Sequence, residues 1–300
     1  MTERTGAREL YEALLRHEGG TAYRDVVVPW LDRAAAGHRS RLARAAGYRP
    51  WWREEDGRAL LEELYALSRV ADLLLLAFQP PADGPEAPGP PLPGIPEQQY
   101  VGLFAALGMD AFGGGAFDPF LHEIVEVEQA ADPDAPIEVT DVLWPGLMLG
   151  ELLFVRAGVR VRAGRARARR GVADRSPLYW TFRRRHRPTV DLSHGWGGNS
   201  QWRTDLRLDY RTAAGDRLNV AGTGAVDGRP DLHPDHPQNL GPDERLLTPA
   251  ERRDLLRHRC LLRAPEAAGA AGAAGAFAAE RPDWSGDLMP FDWRLPAAEE

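Results

Sequence analysis

Residues 202–211 read WRTDLRLDYR, and their alternation decides the fold class. Trp202, Thr204, Leu206, Leu208 and Tyr210 occupy one set of positions, and Arg203, Asp205, Arg207, Asp209 and Arg211 the other. A period of two is that of a strand, which turns an aromatic and aliphatic face inward and a ladder of alternating charge outward. Downstream, Ala213-Ala214-Gly215-Asp216 predicts a turn into a second strand from Arg217 to Val220, making a hairpin. Leu178, Trp180 and Phe182 predict a further strand upstream, and Val159-Arg160-Val161-Arg162 alternates as a strand with one wet face.

The first third has a different period. From Asp56 to Phe78, Leu60, Leu61, Leu64, Leu67, Ala71, Leu74, Leu75 and Phe78 follow the three-and-four spacing of one helix face, with Glu62, Glu63, Arg69 and Asp72 mostly opposite. A shorter helix is expected over residues 6–18, with Leu10, Leu14 and Leu15 on one side and Gly19-Gly20 at its end, and a third over 30–46. Residues 80–96 read PPADGPEAPGPPLPGIP, where proline removes backbone donors; a linker or surface loop is expected. Thr248-Pro249-Ala250-Glu251 spells a capping box, opening a helix that runs to about Arg263. Cys260, beside Leu256, Leu261 and Leu262, reads there as a small buried hydrophobe.

The expected fold is therefore α+β: a helical N-terminal part packed on a mostly antiparallel sheet, then a C-terminal helix and an extended tail. Residues 1–79 form the helical part, 80–97 the Pro-rich linker and 98–265 the α+β body. Residues 266–300 are an Ala/Gly-rich tract followed by a tail with Trp284, Phe291 and Trp293.

Composition narrows the chemistry. With 300 residues, 43% hydrophobic and 27% charged, and a net charge of -7, the chain belongs with globular proteins rather than disordered or collagen-like ones. All 37 basic residues are Arg. Without Lys there is no Schiff base to pyridoxal phosphate or a carbonyl substrate and no P-loop lysine for a nucleotide. Scarce Ile and Asn beside abundant Ala, Arg, Gly and Pro show the same bias, that of a GC-rich coding sequence. One cysteine excludes an internal disulfide framework, a Cys-rich zinc ribbon and a CxxC centre within a monomer. The charged start MTERTGAREL lacks a signal-peptide core, and the apolar runs Leu73 to Phe78 and Val142 to Gly150 fall short of the ~20 residues of a spanning helix. A soluble, cytoplasmic protein is expected, with no membrane partner.

Four segments concentrate reactive side chains. Residues 193–205 place His194, Trp196, Asn199, Ser200, Gln201, Arg203 and Asp205 around three glycines at the entry to the best strand. Glycines there let backbone N–H groups approach a ligand, and Trp196 offers a stacking wall. Gly198-Asn199-Ser200-Gln201-Trp202 begins like a nucleophile elbow, but Trp stands where the second Gly belongs and a strand follows where a helix should. In residues 118–128, Asp118 and Pro119 look like a helix cap and first position, and His122 and Glu126 share a face as metal ligands must; as a strand, His122, Glu126 and Glu128 share one as well. The spelling H-E-x-x-E departs from the metalloprotease H-E-x-x-H at its second ligand. Asp231-Leu232-His233-Pro234-Asp235-His236 offers four donors suited to zinc or another borderline divalent ion. Residues 156–187 hold twelve Arg and one Asp, +11 in a chain otherwise at -18, with Tyr179, Trp180 and Phe182 beside Arg183, Arg184, Arg185 and Arg187.

The reading preferred from these segments is a binding protein without catalysis, taking a small molecule or protein partner on the 193–205 loop. Its rival is a metal-assisted hydrolase in which His122, His194, His233 or His236 hold a divalent ion, with Asp235 as a further donor, while Glu123 or Glu126 moves the proton. A third reading takes 156–187 as a surface for nucleic acid or an anionic ligand, against an unfavourable overall charge.

Overall fold

The computed structural model describes residues 6–79, 93–118, 120–168, 170, 173–174, 208–213, 215–217 and 220. The fold is α+β. Two compact units divide it: Met1–Gly114 with Asp141–Gly158, and Gly115–Thr140 with Val159–Glu300.

The first unit is built on helices. In α1 (Ala7–Arg16) the buried residues Ala7, Leu10, Tyr11 and Leu14 form one stripe, and Arg8 pairs with Glu12 one turn on across the wet face. The chain leaves α1 through Gly19, whose φ of +97° suits the expected glycine stop. A π-turn over Tyr23–Val27 runs directly into α2 (Val28–Leu42), which buries Trp30, Ala34, His38 and Leu42 at four-residue intervals. The central helix, α3 (Gly57–Leu75), packs on α1 and α2 and against strand β5 (Leu152–Val155). Leu60, Leu64, Leu67, Ala71, Leu74 and Leu75 are buried as their spacing predicts, each large side chain contributing about 1.5–3 kcal/mol.

Arg69 and Asp72 depart from that prediction, being buried rather than exposed. Coverage of α3 on several sides encloses the face that periodicity assigns to water. The two pair at 3.5 Å, and the Arg69 guanidinium lies 5.7 Å from the centroid of the Tyr11 ring. Charge in this interior is thus matched by charge and by an aromatic face.

A helix absent from the sequence expectation follows the Pro-rich stretch: α4 (Glu97–Ala106) packs on α2 and buries Tyr100, Leu103 and Phe104. Its apolar residues surround it, so no clean stripe marks it. Strands β1 (Asp110–Phe112), β4 (Gly146–Leu149) and β5 pair antiparallel in that order. Gly150 turns β4 into β5 at φ +57°, and a Cβ there would stand 2.6 Å from the Ala46 carbonyl oxygen. That close approach lets Glu151 N–H donate to Ala46 O at 2.7 Å.

The second unit holds β2 (His122–Gln129) and most of β6 (Ala157–Ala163), which with β3 (Glu138–Trp144), a strand divided between the two units, form a sheet in the order β2-β6-β3. Residues 122–128 are therefore strand, the outcome favoured by the β-branched Ile124, Val125 and Val127 over the helix that Asp118-Pro119 suggests. A hairpin forms where one is expected, but with a tighter turn: β7 (Asp209–Thr212) pairs with β8 (Gly215–Arg217), Tyr210 opposite Arg217 and Thr212 opposite Gly215. Gly215 and Asp216 thus belong to the second strand rather than to the turn, and the strand begins before the expected Arg217. Leu208 and Tyr210 are buried as predicted, but Asp209 is buried too, so the outward charge ladder does not extend through it. The strand upstream near Trp180, the 248–263 helix and residues 80–92 of the Pro-rich stretch lie outside the described residues.

Candidate functional site

The turn leading into β2 is organised by Asp118. Its carbonyl oxygen accepts from Leu121 N–H at 3.0 Å and from His122 N–H at 2.8 Å, while Oδ1 accepts from Phe120 N–H at 2.9 Å. This is an Asx-type turn, in which a carboxylate two residues back satisfies the backbone. The Asp118 N–H in turn donates to His122 Nδ1 at 2.9 Å. A backbone amide only donates, so the Nδ1 lone pair is occupied and the proton of the neutral imidazole resides on Nε2. Phe117 stacks on the same ring, with centroids 5.9 Å apart and planes inclined by 27°.

Strand β7 completes the corner. Arg211 Nη1 donates to Asp118 Oδ2 at 2.6 Å, and its guanidinium lies 4.4 Å from the centroid of the buried Phe120 ring. Burial alone would raise the Asp118 pKa, but the hydrogen bond and charge of Arg211, with the Phe120 N–H, outweigh it and hold the carboxyl below its ordinary value. Both carboxylate oxygens and the imidazole Nδ1 are thus engaged in fixing the turn. Asp118 meets the His122 ring through its backbone N–H, which donates to Nδ1. The chemistry of this corner is positioning: it ties the start of β2 to β7, the strand that begins four residues after Asp205.

Of the sequence-nominated residues, His194, Trp196, Asn199, Ser200, Gln201, Arg203, Asp205, His233, Asp235 and His236 lie outside the described residues, as does Cys260. His122 and Glu126 fall on β2, four residues apart, which at the rise of a strand separates their backbones by about 13 Å. Glu126 is engaged by Arg160 of β6 at 2.5 Å, and Glu128 by Arg162 at 3.7 Å. Glu123 is buried on the opposite face of β2 from both His122 and Glu126. Among the described residues no group of three His, Cys, Asp or Glu side chains is placed to hold a metal ion. No described helix is long and apolar enough to cross a membrane.

Sequence reasoning reached Asp118, His122 and Arg211 singly and missed the corner they build. The Asp-Pro-Phe spelling marks a local turn, which an Asx-turn and a helix cap satisfy equally. Nothing local announces a partner 93 residues away in Arg211.

A second buried polar cluster lies in the first unit. His38 of α2 is 1% exposed, stacks near Trp30 at 4.8 Å, and turns Nδ1 toward the Glu63 carboxylate of α3 and Arg41 Nη2. It joins two helices and reads as packing. Comparison with family models, with curated proteins and with solved structures finds no match to this chain.

Proposed function

We propose that this chain is a binding protein without catalysis, and that residues 193–205 are its contact surface for a small molecule or a protein partner. The observation that supports this reading is the Asp118–Arg211 bond, which fixes the strand following the loop to a turn 93 residues away. Binding loops work when a rigid scaffold holds their ends, because less ordering entropy is then lost on binding. Within the corner the Asp118 carboxylate is held by Arg211 and the Phe120 N–H, and the His122 Nδ1 by the Asp118 N–H, as a scaffold requires.

The test is a small-molecule panel read by thermal shift, run on the wild type, Trp196→Ala, Arg203→Ala and Arg211→Ala. A compound that raises the wild-type Tm and no longer raises that of the first two variants supports the loop. Arg211→Ala is expected to weaken binding by loosening the strand while leaving the contact residues in place. Equal shifts in wild type, Trp196→Ala and Arg203→Ala would overturn this choice of surface. Near-stoichiometric zinc, manganese or iron in the purified protein would instead favour the metal-assisted hydrolase.

A further inference from the structure

The Arg-rich segment leaves the sheet at the end of β6, and the structure distinguishes two kinds of arginine in it. Arg160 and Arg162 stand on β6 opposite Glu126 and Glu128 of β2, so cross-strand carboxylates answer their charge. Beyond Ala163 that arrangement stops. Arg165, Arg167 and Arg170 are exposed, and no ion pair joins Arg165 or Arg170 to another described residue.

The backbone that carries them is clamped. Gly164 N–H donates to Ala135 O and Ala166 N–H to Pro133 O, both at 2.9 Å, which seats the turn on the 132–135 loop. A Cβ on Gly164 would stand 2.2 Å from the Pro133 carbonyl oxygen, so this approach requires glycine. From the other side the Gln129 amide donates to Ala163 O at 2.7 Å and Ala168 O at 3.2 Å, and accepts from Arg170 N–H at 3.1 Å. One side chain thereby holds both ends of the turn, and Ala163 and Ala168 are fully buried beneath it. These bonds hold a turn from which Arg165, Arg167 and Arg170 are exposed.

The guanidinium groups of Arg165 and Arg170, which no described carboxylate pairs, suit an anionic chain with repeating charge, since guanidinium matches phosphate in shape and each contact releases a counterion. We infer that the Gly164–Arg170 turn is a phosphate-contacting surface for single-stranded nucleic acid. Nucleic acid is favoured over an acidic polypeptide because the sequence continues from this turn into Tyr179, Trp180 and Phe182 beside Arg183, Arg184, Arg185 and Arg187. Aromatic residues interleaved with arginine offer faces on which bases stack, which an acidic peptide does not use. Asp132 and Asp134, exposed on the loop beneath the turn, oppose such a ligand and so supply a control of opposite sign.

The experiment is fluorescence anisotropy of the full chain with a labelled oligo-dT of about 20 nucleotides, longer than the ~4–16-nucleotide footprint of common single-strand sites, over a salt series. Wild-type affinity should fall linearly on a log–log plot. Arg165→Ser with Arg170→Ser should reduce that slope by about 1.4 and low-salt affinity about tenfold, two phosphate contacts being lost. Gln129→Ala keeps every charge and should weaken binding severalfold with the slope retained; Asp132→Asn with Asp134→Asn should strengthen it. Circular dichroism matched to wild type shows that each variant is folded. Absence of saturable binding at low salt, a slope unchanged in the double Arg variant, tighter binding of poly-glutamate, or tighter binding of a duplex of equal length would each overturn the inference.

Discussion

Helix α3 and the strand pair β2/β6 both carry arginines and carboxylates, and they put them to opposite uses. In the first unit Arg69 and Asp72 are enclosed, with side chains 3% and 12% exposed, and Arg69 lies over the Tyr11 ring. In the second, Arg160 and Glu126 face each other with side chains 38% and 37% exposed, and Arg162 and Glu128 are more exposed still. Identical functional groups are therefore a structural liability in one place and a solvated surface in the other. Water makes the difference: a desolvated charge depends on its partner, whereas an exposed one has the solvent in reserve.

The sharpest way to break this contrast is to remove one member of the enclosed pair. Arg69→Ala leaves Asp72 buried beside an apolar gap, and urea unfolding should show a loss of about 3–5 kcal/mol. Replacing both, Arg69→Met with Asp72→Leu, should recover most of that loss, because no charge is then left without its counterpart. If Arg69→Ala costs no more than an exposed substitution, the interior reading of α3 is wrong.

Next in size are the two glycine turns, one in each unit. Gly150→Ala places a methyl at positive φ against the Ala46 carbonyl, and Gly164→Ala drives one into the Pro133 carbonyl. Each should cost about 1–3 kcal/mol by forcing the backbone apart. Hydrogen exchange should locate the first loss in the amides of β4 and β5, and the second around Ala135 and Ala166.

How far the chain could be read in advance follows from what sets each feature. Helix α3 and the β7–β8 hairpin were legible because their causes are local: an apolar stripe over 19 residues, and a small-residue turn after alternating side chains. Periodicity gives the direction of a side chain about its own axis but not how many neighbours enclose that axis. That is why Arg69, Asp72 and Asp209 were expected in water and are buried. Helix α4 has apolar residues all round and so no stripe to read. Residues 122–128 share a spacing compatible with helix and strand, and the choice was made by pairing with β6. The corner at Asp118 was invisible for a simpler reason, its arginine being 93 residues distant.

Asp118 lies between the two extremes of exposure, its side chain 33% exposed, and gives the comparison a pH axis. Although burial would raise its pKa, Arg211 and the Phe120 N–H leave it lowered in the fold. A group with a lowered folded pKa contributes its stability above the unfolded value, about 3.9 for Asp, and loses it as pH falls through the folded value. Asp118→Asn keeps an acceptor for Phe120 N–H but loses the charge. It should cost about 1 kcal/mol near neutrality, after discounting for exposure, and its difference from wild type should vanish in strong acid. A difference that persists unchanged into acid would show that shape, not charge, holds the corner.

The smallest effect belongs to the wet ladder, and salt is the variable that isolates it. A double-mutant cycle on Glu126→Gln and Arg160→Gln should give a coupling of about 0.2–1 kcal/mol, the range of exposed and cross-strand pairs. Raising ionic strength to about 1 M shortens the screening length to ~3 Å, so the coupling should shrink toward zero while the cost of Arg69→Ala stays almost unchanged. The two responses together test one cause: if β2 and β6 couple their charges through a screened surface, salt must act on this pair and spare the enclosed one. A coupling between Glu126 and Arg160 that survives high salt would mean that the ladder is sheltered from solvent, and would place those arginines with Arg69 rather than with the exposed Arg165 and Arg170.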